Sequence, residues 1–139
     1  MQDVIPDLWP DEITRTEVPT PLAILRIQAN NLRAKTKGII EAEVRCLVDR
    51  EKKREIYHFE IVAPALDGQT IRLFSAEHAE ALVYPIEFDW PEFENYHDGS
   101  ASTPEQVYRI LKRIFQSEKT TSIVMSLMAR SNEKRTPSP

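Results

Sequence analysis

The chain has 139 residues, of which 41% are apolar and 29% charged, with a formal net charge of −4. That length suits one domain with a core of its own and is too short for two ordinary domains. A mildly acidic chain carries no basic field, which argues against nucleic acid as a partner. The three glycines, Gly38, Gly68 and Gly99, stand far apart. Dinucleotide and P-loop sites need clustered glycines so that backbone amides can approach a phosphate, so neither can be built and no cofactor is expected. The single cysteine, Cys46, has no internal partner, which fits a reducing, cytoplasmic setting. The start lacks the basic and apolar regions of a signal peptide, and no apolar run reaches membrane-spanning length, so no membrane partner is expected.

In chain order, residues 1–18 read as a proline-punctuated docking arm. They carry Ile5, Leu8, Trp9, Ile13 and Val18, with Trp9 as the anchor. A disordered tail holds fewer large apolar groups. Residues 19–131 form a single α+β domain. Thr20-Pro21 is a helix start, and Leu22, Leu25, Ala29 and Leu32 recur at helical spacing up to a stop at Gly38. Ile40, Ala42, Val44, Cys46 and Val48 alternate with charged residues and predict a first strand. A charged turn leads to a second strand, with Tyr57, Phe59, Ile61 and Ala63 inward and Ile56, His58, Glu60 and Val62 outward. Asp67-Gly68 predicts a tight turn into a third strand, Ile71 to Phe74. Its inward residues are Arg72 and Phe74 if the turn has two residues, or Ile71 and Leu73 if one residue is bulged. The second register is preferred because it buries no arginine.

A fourth strand, Leu82 to Phe88, contains Pro85, which places it at the sheet edge. Residues 89–102 read as an acidic and aromatic loop. Thr103-Pro104-Glu105-Gln106 opens a second helix with the stripe Val107, Ile110, Leu111, Ile114 and Phe115. A polar break precedes a third helix around Ile123, Val124, Leu127 and Met128, and residues 132–139 read as a disordered tail. The expected architecture is a helix, a four-stranded antiparallel meander and two C-terminal helices. This order resembles the cystatin-like class at the level of fold alone, which implies no function.

No motif fixes a chemistry. The three histidines have no compact zinc spacing, and no metal site is expected. The 89–98 loop offers carboxylates, an imidazole and a phenol close together, which makes Tyr84, Trp90, Glu92, Tyr96 and His97 the candidate ligand-binding residues of a pocket between sheet and helices. Nothing in the sequence supplies the desolvation that a catalytic carboxylate needs, so no catalytic residue is assigned. On the far face of the sheet Leu47, Ile56 and Val62 sit among charged residues. With Trp9 they are candidate interface residues, covered either by the arm or by a second copy of the chain. The functional expectation is a non-catalytic protein-interaction or assembly module that forms a homodimer. The alternative is a binding or catalytic pocket near the 89–98 loop.

Overall fold

In the computed structural model, residues 4–14 and 18–135 are described, apart from the side chains of Thr14 and Tyr96. Helix α1 spans Pro21–Lys35, and the Thr20 hydroxyl caps it by accepting from the Ala23 amide at 3.2 Å. The helix stops because Lys37 and Gly38 both turn to positive φ, a conformation that glycine adopts without steric cost. The Gly38 amide then returns to the Arg33 carbonyl at 2.9 Å. The buried Thr36 hydroxyl joins this end to the sheet, accepting from the Ile40 amide at 3.1 Å.

Strands β1 (Glu41–Asp49), β2 (Arg54–Ala63), β3 (Gln69–Ala79), β4 (Ile86–Asp89) and β5 (Ser100–Ala101) follow in antiparallel order β1-β2-β3-β4-β5. Helix α2 (Pro104–Phe115) and helix α3 (Glu118–Arg135) close the chain. All three helices share one face of the sheet. Ile24 and Leu25 of α1, Ile110 and Ile114 of α2 and Leu127 of α3 belong to one buried cluster with Phe59, Ile61, Phe74, Ala76, Ile86 and Phe88 of the strands. Stacked Phe59 and Phe74, 5.1 Å apart, form the centre of this inner face, and Phe115 packs on both.

The α+β class and the antiparallel order agree with the sequence reading, and several details are corrected. The sheet has five strands, because two residues of the expected loop, Ser100 and Ala101, pair with β4. The likeness to a cystatin-like order is therefore inexact. The third strand runs from Gln69 to Ala79, well past Phe74. Its bulge lies inside the strand, where Phe59 faces Phe74 but Glu60 already faces Arg72. Leu73 is the extra residue, so Ile71, Leu73 and Phe74 all reach the inner side while Arg72 stays out. Neither anticipated register was right as a whole, and Phe74 does not join the far face. Pro85 precedes β4, after a cis Tyr84–Pro85 bond, and β4 is no edge strand. Asp67 and Gly68 both turn at positive φ, but they end a five-residue connection that opens with a 3-10 turn over Pro64–Leu66, because Ala63 pairs with Gln69. Helix α3 runs to Arg135, past the expected domain limit at 131, and buries Ser131; residues 136–139 lie outside the described residues.

The arm departs most from expectation. Ile5 is 87% exposed and Trp9 71%, and Leu8 and Ile13 are exposed as well. Trp9 anchors nothing on its own domain, and the far face is not covered by the described part of the arm. No helix among the described residues is long and apolar enough to cross a membrane.

Candidate functional site

A groove of about 600 Å³ lies between α1, α2 and α3, floored by the sheet. Its floor is Phe59, Ile61 and Leu73, and the Leu73 bulge is what brings a leucine and Phe74 to the same side. Leu32 of α1, Leu111 and Phe115 of α2, and Val124 and Met125 of α3 form apolar walls. The rim is polar: Gln28, Asn31 and Lys35 of α1 face Tyr108 and Lys112 of α2, Gln116 just past its end, and Thr120 and Thr121 of α3. No carboxylate belongs to the described lining, although the chain as a whole is acidic. Its only charges are the ammonium groups of Lys35 and Lys112. Volume and lining fit a site for an apolar body bearing negative charge.

The candidate residues named from sequence lie elsewhere. Tyr84 donates to the Pro19 carbonyl at 2.9 Å, tying the start of α1 to the β3–β4 connection. Burial, with Tyr108 and Glu105 adding to it, holds its hydroxyl above the usual tyrosine pKa. Trp90 is buried and meets Phe93 edge-on at 5.1 Å, while the Arg113 guanidinium of α2 lies over the Phe93 ring. Glu92 and His97 are exposed, and the side chain of Tyr96 lies outside the described residues. The loop does border a second depression of about 470 Å³, lined by Glu77, Glu87, Asp89 and Glu94 beside Phe88, Trp90 and Phe93. It does not open onto the groove. A groove between sheet and helices is present, but the 89–98 loop contributes nothing to its described lining, so it is not the pocket expected beside that loop.

The histidines are dispersed: His58 points outward, His78 inward, and His97 lies in the loop. Among the described residues no three metal-binding side chains gather. His78 is fully buried. Its Nδ1 lies 2.7 Å from the Ala79 carbonyl and 3.0 Å from the Leu82 carbonyl, so that nitrogen carries a hydrogen. The Tyr57 hydroxyl donates to Glu55 Oε2 at 3.1 Å and lies 2.7 Å from His78 Nε2, which is itself 3.3 Å from that carboxylate oxygen. Burial first, and the Glu55 hydrogen bond and charge next, hold the Tyr57 pKa far above its usual value. Both ring nitrogens are engaged, so the trio serves as a clamp on the β3–β4 connection. The sequence reading missed it by ending the third strand at Phe74. Had the alternation Phe74, Ala76, His78 been followed, it would have put His78 on the inner face.

On the far face Leu47 stands opposite Ile56, and Glu41 opposite Val62. Leu47 is exposed, whereas Ile56 and Val62 are half-buried by their neighbours. Cys46, which alternates with the charged residues of β1, lies on the inner side but is exposed, because the helices leave that end of β1 uncovered. Compared with known proteins, the chain matches no family model, no curated protein and no solved structure.

Proposed function

We propose that this chain is a non-catalytic protein-interaction module whose recognition surface is the groove between α1, α2 and α3. The occupant is a partner's peptide segment with large apolar side chains flanked by carboxylates. The observation that carries this reading is the lining itself: an apolar floor, two lysines at the rim and no described carboxylate. Apolar anchors bury against Phe59, Ile61 and Leu73, and flanking carboxylates meet Lys35 and Lys112. Exposed apolar groups elsewhere accord with a chain built to associate, above all Ile5, Leu8 and Trp9 of the arm.

Residues 4–14, with Ile5, Leu8, Trp9 and Ile13 beside Asp7, Asp11 and Glu12, have the chemistry required and serve as a labelled probe peptide. Fluorescence anisotropy with the full chain, whose described arm residues are exposed and line no part of the groove, should show saturable binding. The double variant K35E/K112E should weaken it about tenfold or more. Binding unchanged in that variant, or no binding, overturns the reading. Saturable binding of dodecanoate, with none of the peptide, would assign the groove to a small amphipathic acid instead.

A further inference from the structure

Strand β1 is the terminal strand of the sheet, so one row of its amides and carbonyls faces away from β2 with no strand beside it among the described residues. Such edges are usually blunted by shortness, proline, a bulge, an inward charge or lysine. The opposite edge is blunted, since β5 has only two residues. β3 extends beyond β4 by Ala79 at one end and along Gln69–Phe74 at the other, which carries the Leu73 bulge. β1 is defended only by side chains on the far face, Glu41, Glu43, Arg45 and Asp49, whose mixed signs can pair as readily as repel. It runs nine residues with an unbroken ladder to β2 and contains neither proline nor lysine. Its inner-side residues are Ala42, Val44, Cys46 and Val48, none charged. From Glu43 to Val48 all but Val44 are exposed, so α1 does not shield this stretch.

We infer that β1 pairs antiparallel with β1 of a second copy of this chain, about a two-fold axis through Val44, joining two five-stranded sheets into one. The charges select the register. Side-chain faces match only when the axis passes through a residue, and the central registers are those at Glu43, Val44, Arg45, Cys46 and Leu47; the last sets Arg45 opposite Asp49 but joins only residues 45–49, against 41–47 for the axis at Val44. An axis at Glu43 sets Glu43 against Glu43 of the second copy. At Arg45 it sets Arg45 against Arg45 and Glu41 against Asp49, and at Cys46 it sets Glu43 against Asp49. Only the axis at Val44 places Glu43 opposite Arg45 of the second copy, twice by symmetry, with no like charges facing. On the inner side the same register lays Val44 on Val44 and Ala42 on Cys46, an apolar seam continuous with the exposed Val48. Backbone hydrogen bonds and the apolar seam supply the attraction, and the two ion pairs fix the register. This pairing does not depend on the groove being a binding site.

The experiment is light scattering coupled to size exclusion on the full chain at about 50 μM. Particles of twice the 16.1 kDa chain mass are expected. E43R and R45E should each set two arginines or two glutamates face to face across the axis and weaken the dimer about tenfold or more, whereas the exchange E43R/R45E should restore it. Because exposed substitutions can disturb β1 by other routes, Ala42→Cys supplies a second readout. Under mild oxidation it should form an intermolecular disulfide with Cys46 of the second copy, while the parent chain, whose cysteines lie apart, should not. A monomeric parent chain overturns the proposal. So do failure of the exchange to rescue, absence of a cross-link in Ala42→Cys, and a Cys46–Cys46 cross-link in the parent chain.

Discussion

His58 shows how the bare face of the sheet tunes a single residue. Its Nδ1 lies 2.8 Å from the Ser75 hydroxyl, and Glu60 two positions on is buried beside Arg45. Partial burial, then the Arg72 and Arg45 guanidinium groups, lower the imidazole pKa below its ordinary value; Glu60 acts in the opposite sense more weakly. With the folded pKa depressed, the unfolded chain binds the proton first as pH falls. The contribution of His58 to stability is therefore full above the unfolded value near 6.5 and is lost as pH drops through it towards the lower folded value. The melting temperature of H58Q should fall less than that of the parent chain between about pH 7 and pH 5. Equal slopes for the two proteins would show that the imidazole is not depressed.

At the scale of elements, α2 is the most securely specified part of the chain. The Thr103 hydroxyl accepts from the Gln106 amide at 3.2 Å, and the Gln106 side chain accepts from the Ser102 amide at 2.7 Å, much as the sequence spacing suggested. Its stripe Val107, Ile110, Leu111 and Ile114 is buried. Ile114 is fully buried, so Ile114→Ala should cost about 2–5 kcal/mol through lost burial and the cavity left behind. Chemical denaturation with an unchanged midpoint would contradict that placement. The strands were harder to read. Alternation gave β1 and β2 their faces, but nothing local to β3 announces that Leu73 is the bulged residue. That choice rests on Phe74 stacking on Phe59 while Ile71 faces Ile61, a contact between strands.

For the whole molecule, the exposure of the arm has a direct consequence. Its described apolar residues are largely exposed, Ile5 at 87% and Trp9 at 71%, so removing residues 1–18 should leave the melting midpoint within about 2 °C. A change of 1 kcal/mol would move the midpoint of a domain of this size by roughly 3–5 °C. A drop beyond about 5 °C on deletion would show that the arm packs on the domain after all. The arm, the groove and the open β1 edge are three separate surfaces, and only residues of the arm and the β1 corner stood out in the sequence as candidates for association.

The sequence alone determined what depends on near neighbours. Capping pairs at Thr20 and Thr103, the apolar spacing of the helices, the alternation of β1 and β2 and the Asp67-Gly68 turn all act within a few residues, and each is found in the structure. Leu47 and Ile56, which the same alternation put on the far face, stand opposite each other in the structure. Tertiary structure decided the rest. Lys35 and Lys112 are 77 positions apart and became the two charges of one groove only because α1 and α2 lie on the same face. The acidic loop looked more promising because its polar groups are adjacent in sequence, but Trp90 and Phe93 pack it away from that groove. Sequence proximity gathers groups without desolvating them, and only packing between distant segments encloses a cavity.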